Sequence, residues 1–143
     1  MTYTYAYPRP MVCADCLVVA CAEGRMELLL IRRKNEPYAG AWALPGGFVD
    51  MDEDLEETAK RELKEEAGIT LDSMMQFAAY GKPGRDPRGR NISVVYYQFL
   101  YDAPEIKAGD DAAEAKWFPL AELPELAFDH QRIIDDFAKS HLK

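Results

Sequence analysis

The spacing of hydrophobic positions changes several times along this chain, and each change marks a new element. The opening Tyr3-x-Tyr5-x-Tyr7 alternates with period two until Pro8 and Pro10 stop it. Residues 1–10 therefore read as an N-terminal extension that could add an edge strand, to this sheet or to a partner's. Val12–Ala22 is a nearly continuous apolar run, and Met26–Arg32 follows across Glu23-Gly24-Arg25, which predicts a hairpin with a glycine-containing turn. Asn35–Gly40 is rich in turn formers. Trp42–Leu44 is short and extended, and Pro45-Gly46-Gly47 then breaks it.

The period next becomes helical. Leu55, Ala59, Leu63 and Ala67 recur every four residues and give a narrow apolar stripe. Asp54 stands at the N-cap position with Glu57 at capping-box spacing, and Gly68 is the C-terminal stop. Gln76–Tyr80 and Asn91–Tyr101 read as strands joined by the turn-rich Gly81–Gly89. An acidic loop through Asp110 and Asp111 leads to a short strand at Ala115–Phe118. After a cap at Asp129, Ile133, Ile134, Phe137 and Ala138 repeat at helical spacing. Strands interspersed with two helices predict an α/β domain whose mixed sheet is covered on both faces.

Composition narrows the function classes. The 143 residues fit one domain, 1–143, and 48% apolar content is enough for a core. The longest apolar stretch, Cys16–Ala22, is far too short to span a bilayer, and no basic segment leads into an apolar one at the N-terminus. Cys13, Cys16 and Cys21 fall inside or at the end of the first strand. An odd count there reads as buried thiols in a reducing cytoplasm rather than a zinc site, which would need a second ligand pair. The net charge of −8 argues against nucleic-acid binding.

The acid is unevenly placed. Between Asp50 and Glu66 nine carboxylates meet three basic residues, a local −6. Glu62, Glu65 and Glu66 stand at i, i+3 and i+4, on one face of the helix, where like charges repel. Spacing alone leaves two readings open: a solvated acidic face, or a site for a hard divalent cation completed by Glu53.

The full pattern runs Gly47, five residues, Glu53, seven residues, then Arg61-Glu62-Leu63-Lys64-Glu65-Glu66-Ala67-Gly68-Ile69. It resembles the Nudix box of the Nudix hydrolases at every defined position. Trp42-Ala-Leu-Pro-Gly-Gly47 before it, and Trp117-Phe118-Pro119-Leu120 with Leu123 after it, resemble that family's usual surroundings, so the likeness runs from Val12 to Leu126. The resemblance implies an α/β/α sandwich that uses Mg2+ or Mn2+ to hydrolyse a nucleoside diphosphate linked to another group. Carried over by position, Glu65 and Glu66 are metal ligands with the Gly46 carbonyl. Glu53 binds metal directly or through water, Glu62 ligates metal or acts as base, and Arg61 orients a box carboxylate, Glu53. In this family the base also comes from a later loop, for which Glu114, Asp111 and Asp110 are the candidates.

The box leaves the substrate open. Lys82, Arg85, Arg88 and Arg90 against Asp86 give the Gly81–Arg90 loop a net +3, suited to a phosphate or ribose clamp or to a solvated hairpin tip. Pro83, the wording Gly84-Arg-Asp-Pro-Arg-Gly-Arg90 and Phe128-Asp129-His130 resemble the ADP-ribose pyrophosphatase-like branch. Related domains there are fused to DNA-binding winged helices, for which the fifteen residues after Phe128 leave no room. Tyr38, Trp42 and Phe128 could stack on a base, with Trp42 better explained by packing, and His130 reads as a helix-start residue. The leading expectation is hydrolysis of ADP-ribose or a similar nucleotide sugar to AMP and a sugar phosphate. The alternatives are a (deoxy)nucleoside triphosphate pyrophosphohydrolase and a nucleotide-sensing module without catalysis. The resemblance and the N-terminal tyrosines favour a homodimer.

Overall fold

The computed structural model describes residues 2–109 and 112–142. Strands β1 (Met11–Ala22) and β2 (Arg25–Arg33) form the expected hairpin, followed by β3 (Trp42–Ala43), β4 (Gly46–Phe48) and helix α1 (Leu55–Ala67). Strands β5 (Met75–Tyr80), β6 (Asn91–Leu100) and β7 (Ala112–Pro119) and helix α2 (His130–His141) complete the described elements. They build a seven-stranded sheet of order β3-β2-β1-β6-β5, with β4 pairing with β1 and β7 with β2. The β1–β6 pair is parallel and the others antiparallel, so the sheet is mixed.

Alternation along β1 divides the core between two faces. Ala14, Cys16 and Val18 pack with Ala59, Leu63 and Ala67 of α1. Leu17 and Val19 point the other way, towards Ile133, Ile134 and Phe137 of α2. A strand covered on both sides must be apolar throughout, which explains the long uninterrupted run. Leu63 and Phe137 are essentially fully buried, each such side chain contributing about 1.5–3 kcal/mol.

The functional region arises because the hairpin is only half closed. Strands β1 and β2 pair from Val19↔Leu28 to Ala22↔Arg25 and then separate. The segment Trp42–Phe48 enters the fork: β3 pairs with Ile31 and Arg32 on one arm, β4 with Cys13–Asp15 on the other. Gly46-Gly47 is thus a strand edge rather than the break expected from sequence. Gly46 permits it, since a β-carbon there would lie 2.5 Å from the Ala14 carbonyl oxygen.

Asp54 caps α1 as expected, its Oδ1 accepting from the Leu55 amide at 2.7 Å. Gly68 closes the helix with φ of 70°, a left-handed conformation that favours glycine. Two further amides reach the same end: Lys107 donates to the Ala67 carbonyl at 2.9 Å and Gly109 to that of Glu66 at 3.3 Å. Three expectations need correction. Residues 2–10 form no strand; Tyr3 stacks on Tyr5 and Arg9 lies over Tyr5 instead. Strand β7 begins three residues early because the whole of β2 from Glu27 to Arg33 is available to pair with it. Asp129 stands at the start of α2 without capping it through its side chain. No helix among the described residues is long and apolar enough to cross a membrane.

Candidate active site

Helix α1 presents its carboxylates to the glycine turn, and one arginine gathers them. The Arg61 Nε donates to Glu53 Oε2 at 2.6 Å and Nη2 to Glu53 Oε1 at 2.9 Å, a bidentate pair. Nη1 donates to Glu62 Oε1 at 2.8 Å and to Glu65 Oε2 at 3.3 Å, while Nη2 also reaches the Phe48 carbonyl. The guanidinium bonds, with help from the Thr58 hydroxyl, hold the Glu53 carboxyl down at about 2, against a burial effect in the opposite direction. Arg61 is correspondingly pushed further up from its already high value.

Glu66 lies deeper. It is buried, and its Oε1 accepts from the Gly46 amide at 2.8 Å. Glu62 rests against Gly47, where a β-carbon would stand 2.5 Å from its carboxyl group. Among the described residues, no cluster of three or more carboxylate, histidine or cysteine side chains is arranged to hold a metal ion as it stands. Arg61 draws Glu53, Glu62 and Glu65 about its own charge. The donor chemistry nevertheless fits a hard divalent cation: Glu53, Glu62, Glu65 and Glu66 all offer oxygen, beside a backbone stripped of side chains at Gly46 and Gly47.

Beside this cluster a cleft of about 110 Å³ opens in the fork of the hairpin. Its floor holds Cys13 and the buried Asp15, to which the Ser93 hydroxyl donates. Glu66, Gly46, Arg33, Arg88 and Phe128 also line it. Arg88 lies 4.9 Å from the Phe48 ring centre and 5.3 Å from that of Phe128, and Arg33 is 5.0 Å from the same Phe128 ring. Beyond Phe48, an 840 Å³ groove runs between the N-terminal segment and Glu53, lined by Tyr5, Tyr7 and Met51 among others.

The basic loop divides differently from its sequence reading. Arg88 reaches the cleft, its Nε and Nη2 engaged by Asp86. Burial pushes the Asp86 carboxyl up, but the Arg88 and Asn91 hydrogen bonds outweigh it and bring the group to about 2. Arg85, expected as a substrate clamp, also lines the cleft, but its side chain is only 5% exposed and forms a bidentate pair with Asp129, at 2.6 and 2.9 Å. Its fork is occupied, and Asp129 is thereby diverted from capping. Arg90 turns back to the Gly81 carbonyl and does not line the cleft.

Among the base candidates, Glu114 faces Arg32 across the β2–β7 ladder, 3.7 Å from its Nη1, and lines neither cleft nor groove. Asp110 and Asp111 lie outside the described residues. Tyr38 packs on Phe128 at 4.8 Å from the cleft's outer side, with a φ of 61°. Trp42 packs edge-on against Phe118. Cys13 and Cys16 point to opposite faces of β1; Cys16 Sγ donates to the Ala59 carbonyl, and burial pushes Cys13 up to about 12. They are inert thiols, not a metal pair.

Sequence reasoning missed Asp15, Ser93 and Arg33. Only Asp15 carried a signal, a lone carboxylate in an otherwise apolar strand. Arg33 is one of two adjacent arginines at a strand end, and nothing local says which turns inward.

A mixed sheet between two helices, with a carboxylate helix behind a glycine turn and a cleft lined by both arginines and carboxylates alongside, is the arrangement of an enzyme acting on charged phosphate compounds. The NUDIX domain model matches residues 10–137, and the chain belongs to that family as a Nudix hydrolase. It is 45% identical over 133 residues to an ADP-ribose pyrophosphatase of Methanocaldococcus jannaschii, a match covering 93% of this chain and 76% of that one. Among solved structures, the NUDIX domain of Shewanella oneidensis NrtR complexed with ADP ribose superposes with a TM-score of 0.87 at 31% identity, covering 96% of this chain and 92% of that domain. A bifunctional NMN adenylyltransferase/ADP ribose pyrophosphatase from Francisella tularensis, complexed with AMP and a Mn ion, gives 0.80 at 30% identity, covering 94% and 43%.

Proposed function

We propose that the chain hydrolyses ADP-ribose, or a similar nucleotide sugar, to AMP and a sugar phosphate. Similarity to the M. jannaschii pyrophosphatase and to the ADP-ribose-bound NrtR domain supports this substrate class. The observation that carries the chemistry is the apposition of Glu66 and the Arg61-bound carboxylates to a cleft walled by Arg33 and Arg88.

Mg2+ or Mn2+ would be held by Glu62, Glu65 and Glu66, with Glu53 and the Gly46 carbonyl as further oxygen donors. When bound, such an ion neutralises diphosphate charge and acidifies water. Arg61 holds Glu53, Glu62 and Glu65 together, so that several like charges share one helix face. Glu62 is the group we assign to accept the proton of the attacking water. Within the cleft Arg33 and Arg88 orient the phosphate oxygens. The terminal amino groups of Arg33 bond to no described residue, whereas its Nε is fixed on the Pro37 carbonyl at 2.7 Å. The groove beyond Phe48 has the apolar lining that a nucleoside needs. We further propose a cytoplasmic homodimer, supported by the exposed Tyr3, Tyr5 and Tyr7.

The deciding experiment is a panel of ADP-ribose, other nucleotide sugars, dinucleoside polyphosphates, NADH and nucleoside triphosphates with Mg2+ and Mn2+. AMP and ribose 5-phosphate from ADP-ribose is the expected result. Pyrophosphate released preferentially from a triphosphate would overturn the substrate reading, and binding without turnover would overturn catalysis. Glu66→Gln should lower turnover by orders of magnitude while circular dichroism stays unchanged.

A further inference from the structure

The segment that leads into α2 does more than connect it to β7. Leu126 forms a parallel bridge with Trp42, and the Ala127 amide donates to the Trp42 carbonyl at 2.8 Å. The third tie comes from a side chain: the Leu44 amide donates to His130 Nδ1 at 3.0 Å. The next residues along the same turn are held from other directions. The Pro45 carbonyl accepts from Cys16 in β1, and the Gly46 amide donates to Glu66 Oε1 in α1. Three consecutive residues are thus anchored to α2, β1 and α1 in turn.

The turn has little freedom to absorb the loss of one anchor. Leu44 is 2% exposed, so an amide deprived of His130 would be a buried donor without an acceptor unless the backbone moves. Gly46 is wedged so closely on β1 that any shift of the turn also displaces its amide from Glu66.

The ring's protonation follows from the same contact. Because Nδ1 accepts, the proton of the neutral ring sits on Nε2. His130 is buried and its ring lines the cleft. Asp15, Asp129, Arg85 and Arg33 surround the ring, and burial holds it neutral, keeping Nδ1 an acceptor.

We infer that His130 is a positioning residue: through the Leu44 amide its Nδ1 sets where the Gly46 amide meets Glu66, joining the start of α2 to the carboxylate site. The inference rests on the proposed role of Glu66 as a metal ligand.

The test compares His130→Asn with His130→Leu in the full chain, reading Mn2+ binding by the electron paramagnetic resonance signal of the free ion. Asparagine keeps an acceptor, Oδ1, at the position of Nδ1, whereas leucine keeps the branching and has none. Outer-shell partners of metal ligands are typically worth 10–100-fold in affinity, so leucine should weaken Mn2+ binding by about tenfold or more and asparagine by roughly threefold or less. Equal affinity in leucine and wild type would overturn the inference. So would equal weakening in both variants, which would assign the effect to ring packing. Should the leucine variant not fold, His130→Ala replaces it, and amide exchange at Leu44 and Gly46 is measured by NMR. Protection retained in asparagine and lost in alanine is expected; the same protection in both overturns the proposal. Wild type that binds no Mn2+ would count against the metal role of Glu66, and amide exchange would still test the His130 tie.

Discussion

Removing the Asp129 carboxylate should expose how much of this molecule depends on one buried ion pair. In Asp129→Ala, the Arg85 side chain, only 5% exposed, keeps its charge and loses both of its acceptors. Breaking a buried pair from one side costs about 3–5 kcal/mol, because the remaining ion is left uncompensated. A chain of this size has a total stability of about 5–15 kcal/mol, so the loss is a large fraction of it. With a urea m-value of about 2 kcal/mol/M, the midpoint should fall by roughly 1.5–2.5 M. Arg85→Met with Asp129→Leu removes both charges and keeps apolar volume, so it should recover most of the loss. The reading that Arg85 is structural also requires this double variant to keep its KM for ADP-ribose close to that of wild type. A midpoint shift for Asp129→Ala of less than about 0.5 M, or a double variant as unstable as the single, would refute the reasoning.

Other consequences are equally direct. Arg33→Gln should raise KM for ADP-ribose by about 10–100-fold, the worth of a charged hydrogen bond, while Arg90→Gln leaves it within error in the same steady-state assay. Glu62→Gln should cut kcat by about 10²–10⁴-fold with unchanged thermal stability. Gly109→Ala places a β-carbon 1.6 Å from the Glu65 carbonyl oxygen, and calorimetry should show a loss of Tm together with weaker Mn2+ binding. The Glu53 carboxyl is held below its ordinary 4.5, so its stabilising effect is complete above that pH and is lost as pH falls towards about 2. Glu53→Gln should therefore flatten the acid limb of the stability curve in that window.

What could be read from the sequence is what depends on neighbours along the chain. The α1 stripe, Asp54, Gly68 and the i, i+3, i+4 carboxylates are local facts, and the structure places them as the spacing requires. The hairpin was legible for the same reason. Its fork was not, because the separation of β1 and β2 is caused by Trp42–Phe48 entering between them, a contact between distant segments. The same limit explains Arg85 and Asp129: a charged loop residue and a helix-start aspartate each have an ordinary local meaning. Their pairing spans 44 residues. The cleft residues Asp15 and Arg33, and Ser93, which donates to Asp15, come from three strands whose assembly no local pattern encodes.

The half-closed hairpin also decides which stretches of chain can change independently. Arg33 stands on β2, whereas Arg88 precedes β6, a partner of β1, and lies over Phe48 of β4, so the cleft draws its cations from both arms of the fork. Phe128 is two residues from His130, which is tied to the glycine turn through Leu44. A library at Arg33 would therefore leave the carboxylate side in place, whereas one extended to Arg88 or Phe128 would reshape recognition and the glycine turn together.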